Sequence, residues 1–297
     1  MTDDLKWPRA SAWLAGTDAA APADVTILGV PASRTSISAT HAHLTPTAIR
    51  EALTRYSTYS WAHDIDLADL VAHDAGDILD PDGAEGEARV THRVAELMTS
   101  TRLLIALGGD NSITHSVALG AWGDGIAGAG LITLDAHHDL RDGVSNGSPV
   151  RRLIEAGLPG SQVVQVGIAD FANSREYAAR ARDLGITVVT RDALRRRPIP
   201  DVMAEALAIA GGGGGPIHVD LDVDVCDRSV VPGCPAAAPG GLSADELCQA
   251  AFHGARSPRV HSLDIAEIDA AADAEDGRTV RLGALLVLET ACGLALR

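Results

Sequence analysis

Aromatic side chains are scarce in this sequence: four Trp, three Tyr and two Phe make up 3% of 297 residues. Ala, Val, Leu and Ile must therefore fill the core, and a nucleic-acid binder built on stacked rings is excluded. Positive charge is short as well. Against 40 Asp and Glu stand 24 Lys and Arg, a net charge of −16. Such a surface repels phosphate backbones and anionic membranes, so neither nucleic acid nor a membrane is expected as partner. The four cysteines, Cys226, Cys234, Cys248 and Cys292, include no CxxC pair. Neither a zinc site nor a disulfide framework is expected of them. The longest apolar run, 282–296, is interrupted by Glu289 and is too short to span a bilayer comfortably. The opening MTDDLKW is acidic and lacks an apolar h-region. It predicts a cytoplasmic protein with reduced thiols and no signal peptide.

What is present is ordinary globular composition, 46% hydrophobic and 22% charged, which excludes disordered, collagen-like and coiled-coil chains. The length suits one large α/β domain. Residues 1–24, with Pro8 and Pro22, read as an irregular lead-in, and 25–297 as a single domain. Short apolar runs at 25–30, 103–107, 131–135, 163–167, 186–189, 217–221 and 260–265, with a weaker one at 70–75, predict about eight strands. Helices are expected at 86–100, 112–122, 174–184, 201–210, 243–255 and 279–296. Ser243 and Glu246 form a helix-start signature. The run of glycines at 211–215 reads as a loop between a helix and a strand. Apolar strands alternating with helices mean a parallel sheet covered on both faces. Ligands in such sheets bind beyond the carboxyl ends of the strands.

Chemistry is concentrated at two of those ends. The strand at 131–135 runs into DAHHD, where Asp135, His137 and Asp139 are spaced by two. In extended backbone that spacing points all three side chains to one side. The strand at 217–221 runs into a second cluster, Asp220, Asp222, Asp224 and Asp227. Carboxylates this dense repel one another unless a cation offsets them. Two such clusters at strand ends of one sheet point to divalent metal. Five or six O and N ligands exceed one zinc site and suit two ions about 3.5 Å apart. The lack of Cys among the ligands favours manganese. The reaction class is then metal-assisted hydrolysis.

GGDNS (108–112), DAHHD (135–139), DVDVCD (222–227) and EID (267–269) occur in the order of the ureohydrolase family, which includes arginase and agmatinase, and the chain resembles that family from about residue 25 to its end. SRTSIS (33–38), SNGSP (145–149), GIADFANSREY (167–177) and PGCPAAAPGGL (232–242) are most similar to its formimidoylglutamase branch. The resemblance implies a three-layer α/β/α sandwich on a parallel, about eight-stranded sheet. It implies two Mn2+ per chain on Asp135, His137, Asp139, Asp222 and Asp224, with Asp220 outside the ligand set. Asn111 stands where many relatives have a metal-binding His, and an amide oxygen is a weaker, neutral ligand. Asn146 stands where arginases and agmatinases have a proton-shuttling His, which an amide cannot replace. Ala169 and Asp170 stand where Arg and Glu are expected in that branch.

The implied reaction is hydrolysis of N-formimidoyl-L-glutamate, a small molecule, to L-glutamate and formamide. Asp139 and Glu267 are the expected catalytic pair, the first relaying a proton and the second pairing with the amidinium. The substrate's carboxylates need local positive charge. Arg141 is the foremost candidate, ahead of Arg151 and Arg34, with Asn146 as a hydrogen-bonding partner. Two other readings stay open. One is a guanidine hydrolase of agmatinase or guanidinobutyrase type that releases urea. The other is a metal-depleted binding protein on the same fold. The family also implies a homo-oligomer, a trimer or hexamer.

Overall fold

Parallel strands buried on both faces must be apolar almost throughout, and the apolar runs do become such strands. The computed structural model describes residues 4, 6–14 and 22–297. Its strands are β1 (Ala23–Val30), β2 (Tyr59–Ser60), β3 (Ile65–Asp66), β4 (Ala72–Asp77), β5 (Thr101–Gly108), β6 (Gly130–Leu134), β7 (Val163–Ile168), β8 (Thr187–Thr190), β9 (Ile217–Asp222) and β10 (Val260–Ala266). Strands β2 and β3 form a small antiparallel hairpin. The other eight make one sheet in the order β4-β1-β5-β10-β9-β6-β7-β8, with every pairing parallel.

Interior strands β6, β7 and β9 are buried at every residue. The edges are different. Edge strand β4 reads AHDAGD and is largely solvent-facing beyond its first two residues. Arg50 closes that edge with bonds of 2.7 and 2.8 Å to the two Asp74 carboxylate oxygens. A short, charged edge resists pairing with another chain.

Helices cover both faces. Helix Ala244–Ala255 starts with the expected capping box between Ser243 and Glu246. The glycine run caps helix Ile199–Ala210 with one 3-10 turn, Gly211–Gly213, before β9. Small residues are required there, because a Cβ on Gly215 would sit 2.6 Å from the Gly128 carbonyl oxygen. Helices Thr45–Ala52 and Pro149–Glu155 are additions to the sequence reading. Each has Pro at its start, where the missing N–H costs nothing. The lead-in is also less irregular than expected. Ala10–Trp13 forms one helical turn, and the buried Trp13 donates from Nε1 to the Leu70 carbonyl at 3.0 Å. Residues 1–3, 5 and 15–21 of the lead-in lie outside the described residues. Among the described residues the four cysteines are buried, unpaired thiols, and no helix is long and apolar enough to cross a membrane.

The sheet order positions the site. The chain passes from β5 to β6 across two vacant places that β9 and β10 fill later. Four neighbouring strands, β5, β10, β9 and β6, thus end side by side at the centre of the sheet. The turn after β5 is tight. Gly109 N donates to Val30 O at 3.0 Å and Asp110 N to Ala32 O at 2.8 Å. A Cβ on Gly109 would lie 1.8 Å from the Ala32 oxygen. Gly109→Ala is therefore expected to cost about 2 kcal/mol or more through overpacking. Gly125→Ala, with nothing within 4 Å of the added atom, should leave stability unchanged. Thermal unfolding of the two variants checks this contrast.

Candidate active site

The turn after β6 and the turn after β9 meet across the adjacent strand ends. His137 donates its backbone N–H to Asp135 Oδ1 at 2.6 Å. Its ring Nδ1 stands 3.4 Å from that oxygen and 2.8 Å from Asp224 Oδ2. Asp224 Oδ1 accepts from Ala136 N at 2.9 Å, so the two turns are directly bonded. Asp222 Oδ1 accepts from Asp224 N at 2.8 Å. One ligand atom from each of Asp135, His137 and Asp224 lies within 4.8 Å of the other two. Asp135 Oδ2 is buried with no hydrogen-bond partner, and such a buried orphan demands a donor or a cation. Asp220 lies deeper, fully buried in the sheet beside Thr133 of β6 and Asp264 of β10.

Crowding dominates the electrostatics. Burial raises the carboxyl pKa of Asp135 to about 6, helped by Asp224 and opposed by His137. Burial and Asp135 hold Asp139 well above the carboxylate range, and burial with Asp224 and Asp135 does the same to Asp222. Burial works to lower the His137 pKa, but its bonds to Asp135 and Asp224 overcome that and raise it to about 11. Asp224 moves down despite burial, because His137 donates to it. Protonation is thus favoured where oxygen and nitrogen atoms that could hold a divalent cation converge.

Of five non-glycine residues with positive φ among the described residues, two lie in the site's turns: Asp139 at φ 52° and Glu267 at φ 66°. This backbone is costly for such side chains and clusters at functional sites. Glu267 is held from three directions. Its N–H donates to Gly109 O at 2.9 Å. Its Oε1 accepts from Asn111 N and Asn146 Nδ2, each at 2.8 Å. Burial and Asp110 raise its pKa to about 7 against these two bonds. Asn111 donates from Nδ2 to Asp139 Oδ2 at 2.7 Å, while its Oδ1 accepts from Thr114 Oγ1 at 3.0 Å. The oxygen that a metal would use is thus engaged by Thr114, and Asn111 faces the cluster as a donor.

A cavity of about 250 Å3 opens beside these residues, lined among others by His137, Asp139, Arg141, Asn173 and Tyr177. Arg141 makes no ion pair or hydrogen bond through its guanidinium with any described residue. Gly147 gives its stem room, since a Cβ there would meet Arg141 Cδ at 2.7 Å. Arg151, expected beside Arg141 as a substrate contact, is engaged elsewhere. Its Nε donates to Arg141 O at 2.6 Å, another nitrogen donates to Gly143 O, and a third pairs with Glu155. It braces the loop that carries Arg141. Arg34 pairs with Asp80 and Asp82 at the surface.

Sequence reasoning missed two further supports. Asn173 Oδ1 accepts from His138 N and its Nδ2 donates to Ala136 O, both at 2.9 Å, locking the loop after β7 onto the 135–139 turn. Arg180 NH1 donates to Leu140 O at 2.7 Å and Asp142 Oδ1 at 2.8 Å. Asn173 lies in the quoted GIADFANSREY segment and Arg180 follows it, yet bonds to distant backbone carbonyls leave no residue pattern to read.

This chain shares its fold and its sequence with known proteins over nearly its whole length. It is 37% identical to the formimidoylglutamase of Halalkalibacterium halodurans over 271 residues, 88% of this chain and 84% of that protein. It is 34% identical to the formimidoylglutamase of Bacillus subtilis over 298 residues, 95% and 89% of the two chains. The crystal structure of formimidoylglutamase from Bacillus subtilis superimposes with a TM-score of 0.93 at 32% identity, covering all of this chain and 94% of the other. The family model described as "Arginase family" matches residues 23–293. These residues include every strand and turn that builds the site, and the chain belongs to the arginase family.

Proposed function

We propose that this protein hydrolyses N-formimidoyl-L-glutamate to L-glutamate and formamide, with two manganese ions at the strand ends. One observation carries the choice of substrate. In a chain of net charge −16, the unpaired Arg141 guanidinium lines the same cavity as His137 and Asp139. An amidine with an anionic tail suits that combination, and the two relatives named formimidoylglutamase support it. The cationic tail of agmatine does not suit it.

The residues present fit the metal. The orphaned Asp135 Oδ2 and an all-oxygen-and-nitrogen donor set suit a hard or borderline divalent ion. Asp135, His137, Asp139, Asp222 and Asp224 would hold the pair, with Asn111 beside them. When bound, the ions supply Lewis acidity and make water nucleophilic near neutral pH. Glu267, steadied by Asn111 and Asn146, presents its carboxylate to the amidinium and orients the amidine carbon. Asp139 Oδ2 is occupied by Asn111, which leaves Oδ1 to carry a proton to the departing amine nitrogen. Arg141 holds a tail carboxylate and fixes the distance to the scissile C–N bond.

Product analysis of manganese-loaded protein tests the reaction. Formamide and glutamate should appear from formimidoylglutamate, with no urea from agmatine or 4-guanidinobutyrate. Urea from either would transfer the assignment to a guanidine hydrolase. Less than one manganese per chain after loading, with no turnover, would favour a non-catalytic binding protein. Arg141→Ala should raise KM roughly tenfold to a hundredfold, the loss of about 1.5–3 kcal/mol of charged hydrogen bonding, with kcat little changed. Steady-state kinetics reads that split.

Metal loading has its own signature. Asp135 and Asp224 raise the His137 pKa to about 11, and a histidine must give up its second ring proton to become a ligand. Calorimetric Mn2+ titrations in buffers of different ionisation enthalpy should register release of about one proton or more per chain. Binding should tighten as pH rises. A titration enthalpy independent of buffer would count against His137 as a ligand.

A further inference from the structure

An arginine that holds one carboxylate does not distinguish a dicarboxylate substrate from a monocarboxylate. We infer that Tyr177 makes this distinction, donating its phenol hydrogen to the second carboxylate of the substrate; the inference rests on the proposed amidine hydrolysis. Tyr177 lines the cavity shared by Asp139 and Arg141. Its hydroxyl has no hydrogen-bond partner among the described residues, whereas Tyr56 and Tyr59 each use theirs on the protein.

The position of Tyr177 is fixed at three levels. Ser174 caps helix Arg175–Asp183 by accepting from Tyr177 N at 3.1 Å, which sets the first turn. The Arg180 guanidinium lies 5.4 Å from the centre of the Tyr177 ring. The same guanidinium bonds Leu140 O and Asp142, on the loop that carries Arg141. Tyr177 and Arg141 are thus tied to one another through Arg180, although their elements are far apart in sequence. A phenol donating to a carboxylate forms a short, charge-assisted bond, and a nearby arginine adds attraction for the anion. A hydrogen-bonding site rejects analogues that lack the matching group far better than an apolar wall does.

The test is Tyr177→Phe in the full, manganese-loaded chain. Three substrates are compared: N-formimidoyl-L-glutamate and two analogues, each lacking one of its two carboxylates. KM for the parent substrate should rise about tenfold, with kcat within about twofold and an unchanged melting temperature. One analogue should be insensitive to the substitution, and the other should lose as much as the parent. Arg141→Ala should show the opposite preference between the analogues. Equal loss on all three substrates would overturn the inference, because Tyr177 would then act through the fold. No loss on any, with wild-type turnover intact, would remove Tyr177 from substrate contact and leave the proposed reaction standing. Silence of the wild type on the parent substrate would remove the reaction and this inference together.

Discussion

Asp135, Asp139, Asp222 and Asp224 are nearly fully buried on the adjoining turns after β6 and β9, and His137 stands between Asp135 and Asp224. Like charges removed from water at this density are strongly unfavourable without compensation. The raised pKa values of Asp135, Asp139 and Asp222 express that cost as retained protons. Divalent cations would compensate the same charges without protons, and the remaining architecture keeps the carboxylates from relaxing apart. Asp224 accepts from Ala136, and Asp222 accepts from Asp224. The anionic groups therefore hold each other's backbone turns in place.

Such a cluster needs a rigid frame. Parallel pairing supplies it, because β5, β10, β9 and β6 end side by side and start four turns from one edge of the strands. The left-handed backbone at Asp139 and Glu267 stores strain that these turns could not sustain alone. It is over-determined by neighbours. The Glu267 N–H is anchored on Gly109, and Asp139 is flanked by a loop that Arg151 and Arg180 grip by its carbonyls. Arginine suits that work, since one planar fork can bond two or three oxygens at once.

What the residues disclose and what they conceal divide along the same line. The six interior sheet strands were legible because a strand buried on both faces has to be an apolar run, whereas edge strand β4, largely solvent-facing, left only a weak run. The two acidic clusters were legible as alternating residues at strand ends, but turns rather than extended backbone bring them together: β6 stops at Leu134, Asp139 has φ 52°, and Asp224 sits in the 3-10 turn Val223–Val225. Helices Thr45–Ala52 and Pro149–Glu155 were not, being short and led by proline. The engagement of Arg151 was hidden for another reason. Its partners are the carbonyls of Arg141 and Gly143, and a carbonyl is the same at every residue. The orientation of Asn111 was hidden too. Only Thr114, one turn further into the following helix, decides which end of its amide faces Asp139.

This division bears on how a family built around one metal site can act on different amidines. The ligands sit on strand ends and on turns bonded to one another, so a change there disturbs charge balance and fold together. Arg141 and Tyr177 sit on the 139–147 loop and on the helix after β7, connected to the metal turns mainly through backbone carbonyls. Side chains at those positions can change while the carbonyl bonds persist. Substrate choice is then free to vary where the scaffold is indifferent to it. In this chain the net charge of −16 bears on the same point. Against that net charge, the guanidinium that the 139–147 loop leaves unpaired would give an anionic tail a local attraction, so discrimination would come from the field around Arg141 as much as from the contact it makes.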